Sequence, residues 1–193
     1  MCSAQRYFWS CVWNIDHALT VYQEEELNAA TKDFSSQSKI QGLVYKGTVG
    51  RSVVAIKKMS RDETQEANIM HKLNHVNLIS LRGISTGEEH CYLVYEYMEN
   101  GSLKDWLQDP SRSGLRNWIQ RVQIALNVAN ELVYLHNFTY PPCVHNDINS
   151  RNVLLNSKLR AKTTNFSLAR SSGWKYDSAL TKNIDGMLGY MAP

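Results

Sequence analysis

No stretch of this chain is apolar for long enough to cross a bilayer. The longest run near the start, Tyr7 to Trp13, is broken by Ser10 and closed by Asn14 and Asp16, far short of the roughly 20 residues that a membrane helix needs, and it makes a poor secretory leader. Cysteine is scarce and dispersed. Cys2, Cys11, Cys91 and Cys143 include no C-x-x-C pair, which excludes a disulfide framework and a zinc ribbon and fits a reducing compartment. There is no block of one charge either: the net charge of +3 is spread along the chain, so nucleic acid is not an expected partner. Repeats and low-complexity tracts are also lacking, and an apolar content of 43% is that of a globular chain with a sizeable core.

What remains is a change of pattern along 193 residues. Residues 1–22 carry no period and are expected to be a poorly ordered lead-in. A short helix is expected from Gln23 to Thr31, ended by Lys32, Asp33, Phe34 and Ser35. Leu43 to Lys46 and Ser52 to Ile56 are β-rich runs separated by Gly47 and Gly50, the mark of a hairpin. Between Asp62 and Asn74, Glu66, Ile69, Met70 and Leu73 recur at helical spacing. Leu78 to Ile84 and Cys91 to Tyr97 read as further strands, and Glu99 to Ser102 as a polar linker. The second half turns helical: Trp118, Val122, Ala125, Ala129 and Leu132 mark one apolar face of a long helix reaching about His136. Val153 to Leu155 and Leu159 to Lys162 are short strands around a turn at Asn156 and Ser157, and residues 167–188 form a loop. The expected class is α+β, with a small β-rich lobe over 23–98 and a helical lobe over 99–193.

Chemistry-bearing residues are placed along this frame. Val54, Ala55, Ile56 and Lys57 end a strand on an ammonium; Glu66 falls on the buried face of the next helix, where a carboxylate needs a cation. Taken alone, Lys57 reads first as an ordinary strand lysine with its ammonium in water, and only the motifs around it make it the partner of Glu66. Gly42 precedes Leu43, Val44, Tyr45, Lys46 and Gly47. A turn glycine and a residual phosphate-binding glycine remain equal readings of it. His71 and His75 stand four apart without a carboxylate or cysteine at ligand spacing, so a metal site there is not expected. Further on, Val144-His145-Asn146-Asp147-Ile148-Asn149-Ser150-Arg151-Asn152 is followed by Asn165-Phe166-Ser167.

In order, these segments resemble the motifs of a protein kinase: the glycine-rich loop, the lysine strand, the H-R-D-x-x-x-x-N catalytic loop and D-F-G. With Glu24 to Thr31, Glu96 to Leu103 and Gly189 to Pro193 they are similar to plant receptor-like kinases, in particular the LysM-domain branch with degenerate kinase domains. The resemblance implies a two-lobed kinase fold whose cofactors are ATP and Mg2+, weakly or residually held. Lys57 would reach the nucleotide phosphates, with Glu66 holding it. Tyr95, at the gatekeeper position, Glu96 and Met98 would line the adenine hinge, Val44 and Ala55 the roof and Leu154 the floor. Asp147 matches the catalytic base and Asn152 a magnesium ligand.

Departures from the pattern weigh against activity. The glycine-rich loop keeps only Gly42, while Lys39 and Gln41 restrict close approach of the backbone. Asn165 stands where a metal-binding aspartate is expected; it can ligate magnesium through its amide oxygen but brings no charge. One unit charge at about 4 Å and an effective dielectric near 20 is worth about 4 kcal/mol, roughly a thousandfold in rate if wholly expressed in the transition state. Asn149 replaces the lysine that neutralises the transferred phosphoryl group, and Met187 replaces a threonine of the same network. Arg151, just before Asn152, is either a stand-in for that lysine or a surface arginine. Asn146 replaces the arginine that docks an activation-loop phosphate, so phosphorylation of Ser171, Ser172, Ser178 or Thr181 would lack its usual anchor. The chain ends at Pro193 inside what would be A-P-E, and an incomplete helical lobe would be poorly soluble or partly molten.

The expectation is a signalling domain, a pseudokinase with weak ATP binding that docks an active partner receptor-like kinase on the cytoplasmic side of the plasma membrane. A slow Ser/Thr kinase and a non-functional truncated product are the alternatives.

Overall fold

The computed structural model describes residues 19–60, 65–87, 89–112 and 117–171. They fall into two compact units, one ending at Tyr97 without residues 73–79, the other formed by Leu73–Ile79 and the chain from Met98 onward.

The first unit is a six-stranded sheet with helices. Its strands are β1 (Thr20–Val21), β2 (Lys39–Gln41), β3 (Val44–Val49), β4 (Ser52–Ser60), β5 (Leu81–Thr86) and β6 (His90–Glu96), in the order β1-β5-β6-β4-β3-β2. Along β4 the side chains alternate, with Val54 and Ile56 on one face and Ala55 and Lys57 on the other. Val54 and Ile56 join Leu27, Tyr92 and Val94 in a buried cluster. Leu27 comes from α1 (Glu24–Thr31), whose acidic first turn suits a helix N-terminus. The helix stops where Lys32, Asp33 and Phe34 all take positive φ. That cost is offset by Phe34, which stacks on Tyr92 at 5.3 Å and meets Tyr45 edge-on at 5.1 Å.

Three boundaries differ from the sequence reading. Within the expected lead-in, β1 pairs in parallel with β5. Gly83 makes this possible, since a Cβ there would meet the Thr20 carbonyl oxygen at 2.3 Å. Helix α2 (Gln65–Met70) ends four residues before Asn74, and the strand expected from Leu78 starts at Leu81.

In the second unit Asn74 and Leu78 find other partners. The Asn74 N–H donates to the Tyr134 hydroxyl at 3.1 Å, and Leu78 forms an isolated bridge with Thr163. The unit contains α3 (Leu103–Gln108), α4 (Trp118–Asn137), the paired strands β7 (Cys143–Val144) and β10 (Arg170–Ser171), and the hairpin β8 (Val153–Leu155) and β9 (Ala161–Thr163). Leu159 has φ +56 and belongs to the hairpin turn, which delays β9 to Ala161. Asn156 Oδ1 fastens that turn by accepting from the Lys158 and Arg160 N–H groups.

Helix α3 escaped the sequence reading, although its start is a capping box. Ser102 Oγ accepts from the Asp105 N–H at 3.2 Å, and the Asp105 carboxylate accepts from the Ser102 N–H at 3.2 Å. We expect Ser102→Ala to destabilise the chain by about 1 kcal/mol, read as a lower urea midpoint at unchanged slope.

The buried face of α4 is a correction. Trp118, Val122, Ala125 and Ala129, expected inside, are exposed, whereas Ile124, Asn127, Glu131 and Leu135 are buried. Ile124 packs with Val153, Leu155 and Ala161, and the Asn127 amide oxygen accepts from the Ala161 N–H at 3.1 Å. Apolar side chains occupy both sides of α4, and two polar residues lie on the side that packs against β9. Counting hydrophobic residues therefore selected the wrong face.

Candidate active site

In the first unit, Lys57 lies on β4 beside Val44 of β3 and Leu93 of β6. Its Nζ meets Glu66 Oε2 at 2.5 Å, and Glu66 is only 1% exposed. The other carboxylate oxygen, Oε1, accepts from the Tyr95 hydroxyl at 2.8 Å. Thus Glu66 gives one oxygen to a cation and one to a neutral donor. Burial, then the Glu66 charge and its hydrogen bond, push the Tyr95 phenol well above its ordinary range, so it remains a donor at any physiological pH. Tyr95, expected at the gatekeeper position, gives its hydroxyl to Glu66. Ala55 pairs with Tyr95 across β4 and β6, and Val44 is half-buried.

The Glu96 carboxylate accepts from the Ser80 N–H at 2.7 Å, and its own N–H donates to the Ser80 carbonyl at 3.0 Å. The expected glycine-rich loop is here a tight connection, Gly42 and Leu43, between β2 and β3. Gly42 has φ +54, a conformation that side-chain-bearing residues seldom adopt. Lys39 and Gln41 flank it with exposed side chains.

The second unit holds Met98, buried, Leu154, half-buried on β8, and the loop after β7. His145 anchors this loop. The Asp147 N–H donates to its Nδ1, and its Nε2 meets the Thr164 carbonyl at 3.2 Å, which identifies a neutral ring with the proton on Nε2. His145 also packs on Phe166, with ring centroids 4.4 Å apart. Asn146 and Asn165 take φ +63 and +68, positions at which asparagine is among the best-tolerated side chains. Asn146 donates from Nδ2 to the Leu168 carbonyl at 3.0 Å.

Three amides converge on Asp147. Oδ1 accepts from Asn149 Nδ2 at 2.8 Å; Oδ2 accepts from Asn152 Nδ2 at 2.7 Å and from Asn165 Nδ2 at 3.0 Å. Arg151 is exposed and is tied to the loop by its backbone N–H, which donates to Asn149 Oδ1 at 2.9 Å. Met187, Ser172, Ser178 and Thr181 lie outside the described residues.

Magnesium seeks an octahedron of oxygens, and Asn152 and Asn165 are the residues that would offer it amide oxygens. Asn152 and Asn165 turn N–H groups toward the carboxylate, and the Asn165 amide oxygen accepts from the Ser167 hydroxyl at 3.0 Å. Among the described residues no group of three or more His, Cys, Asp and Glu side chains is arranged to hold a metal. His71 and His75 serve locally: His71 Nδ1 meets the Ala67 carbonyl at 3.0 Å, and His75 stacks on Tyr134 at 4.9 Å. Burial lowers the pKa of both.

Glu131 was missed altogether. It is fully buried on α4, and neither carboxyl oxygen has a hydrogen-bond partner. Burial pushes its pKa up to about 7, against a small opposing effect of the facing Thr163 hydroxyl. The polarity of glutamate places it on a solvated face in any pattern reading, so no sequence signal marked it.

A strand lysine paired with a helix glutamate, and a His-x-Asp loop with Asn five residues after the Asp, define a protein-kinase domain. The comparisons agree. Residues 37–193 match the family model described as protein tyrosine and serine/threonine kinase. Protein LYK5 of Arabidopsis thaliana is 43% identical over 178 residues, covering 91% of this chain and 27% of that protein. LysM domain receptor-like kinase 3 of the same plant is 36% identical over 185 residues, covering 90% of this chain and 28% of its own length. Cysteine-rich receptor-like protein kinase 7 is 36% identical over 179 residues, with shares of 86% and 27%. The chain belongs to the protein tyrosine and serine/threonine kinase family, and these relatives support a place on the LysM branch of plant receptor-like kinases. It spans about a quarter of the length of these relatives. No helix among the described residues is long and apolar enough to cross a membrane.

Proposed function

We propose that this kinase-family domain is a pseudokinase: it binds ATP weakly through Lys57 and Glu66, transfers no phosphoryl group, and acts by docking an active receptor-like kinase on the cytoplasmic face of the plasma membrane. The observation that carries this reading is the Asp147 carboxylate, whose two oxygens already accept three amide N–H groups. A general base needs a free lone pair aimed at the proton it takes; here three of about four such positions are engaged, and Asn149 and Asn165 supply no charge to stabilise a phosphoryl group in flight.

A second reading, a slow Ser/Thr kinase, draws on the Lys57–Glu66 pair, which retains the geometry of a nucleotide anchor. Two measurements separate the readings. ATP titration should show saturable binding that Lys57→Met weakens by about tenfold or more, the value of one charge-assisted hydrogen bond. An active receptor-like kinase domain should co-purify equally with the natural chain and with Asp147→Ala. Loss of partner phosphorylation on Asp147→Ala, with the complex intact, would favour the enzyme.

A further inference from the structure

We propose that Asn149, Asn152 and Asn165 form a neutral amide clamp on Asp147, which keeps the loop assembled without a divalent cation, with Asn165 as the positioning residue. The inference rests on reading residues 144–152 as the counterpart of a catalytic loop. It goes further by assigning these three amides a structural task.

A carboxylate offers about four lone-pair positions on two oxygens, and here three are filled by side-chain N–H groups at 2.7–3.0 Å. The orientation of each amide is determined. Turning any of them over would set a carbonyl oxygen against a carboxylate oxygen at hydrogen-bond distance. Their positions are secured a second time: Asn149 Oδ1 accepts from the Arg151 N–H, Asn152 Nδ2 donates also to the Asp147 carbonyl at 2.9 Å, and Asn165 Oδ1 accepts from Ser167 Oγ.

Asn149 and Asn152 lie within the loop, whereas Asn165 lies 18 residues beyond Asp147. It joins the segment that opens the 3-10 turn Phe166–Leu168 to the Asp147 side chain. An aspartate at 165 would place a carboxylate oxygen about 3 Å from Asp147 Oδ2, a like-charge contact that holds only with a cation or a shared proton between the two. With asparagine there the repulsion is replaced by a hydrogen bond, and the segment closes on its own.

Thermal unfolding of the full chain, in EDTA and in millimolar Mg2+, tests the clamp. The natural chain should melt at the same temperature in both. Asn165→Asp should melt about 5 °C or more lower in EDTA and regain most of the loss in Mg2+, while Asn165→Leu should lose stability equally in both. A rise in the melting temperature of the natural chain with Mg2+, or no loss for Asn165→Asp in EDTA, would overturn the proposal. Should Asn165→Asp fail to fold, Mn2+ titration of the natural chain by electron paramagnetic resonance decides the matter: no saturable site is expected, and one that Asp147→Ala removes would refute the clamp. None of these readouts involves phosphoryl transfer. Failure of the clamp is thus distinguishable from failure of the pseudokinase reading.

Discussion

Lys57→Met is expected to destabilise the first unit by about 3 kcal/mol. The loss comes from the partner left behind. Glu66 is 1% exposed, and removing the ammonium leaves a buried carboxylate with the Tyr95 hydroxyl as its remaining named donor; breaking such pairs from one side costs about 3–5 kcal/mol. We take the lower end because Lys57 itself is 21% exposed. Glu66→Gln in the Lys57→Met background removes the stranded charge while keeping an acceptor for Tyr95, so the double variant should recover at least 1 kcal/mol. Urea unfolding of the natural chain and the two variants measures both numbers. A single-variant loss below 1 kcal/mol would mean that the pair is held for nucleotide alone.

The second large effect is a pH dependence centred on Glu131. Its folded pKa of about 7 lies above the ordinary carboxyl value near 4.3, so the native state binds the proton more tightly than the unfolded chain. The associated stability is therefore present in full below the unfolded pKa and is lost as pH rises through about 7. A shift of this size corresponds to roughly 3 kcal/mol over the whole window, most of it between pH 5 and 8. The neighbouring Cys143 thiol, pushed up to about 11 by burial and by the Glu131 charge, stays neutral throughout that range. Glu131→Gln should flatten the profile and unfold about 2 kcal/mol later than the natural chain at pH 8, as read by chemical denaturation at pH 5, 6, 7 and 8. Parallel profiles for the two proteins would place the carboxyl in water.

Much of this was legible beforehand, for identifiable reasons. Lys57 and Glu66 could be paired because helical spacing puts Glu66 on a buried face, a buried carboxylate demands a cation, and the order of the kinase-like motifs singled out Lys57. The loop from His145 to Asn152 was visible because its residues are close in sequence, and Asn165 stood out by its place before Phe166. What was not legible depended on tertiary partners. Tyr95 has no local sign that its hydroxyl reaches Glu66, 29 residues away. The amide clamp needs Asn165 folded back over 18 residues. Helix α4 misled because its packed side carries Asn127 and Glu131, and no period distinguishes a satisfied amide or a neutral buried acid from a solvated one.

In the proposed pseudokinase, Asp147 is held by amides and takes no proton from a substrate hydroxyl. Single-turnover transfer of labelled γ-phosphate from ATP with Mg2+, to the chain itself and to a general protein substrate, tests it most directly. No transfer above that of Asp147→Ala is expected at any time point. Mg2+-dependent transfer that Asp147→Ala abolishes would contradict it.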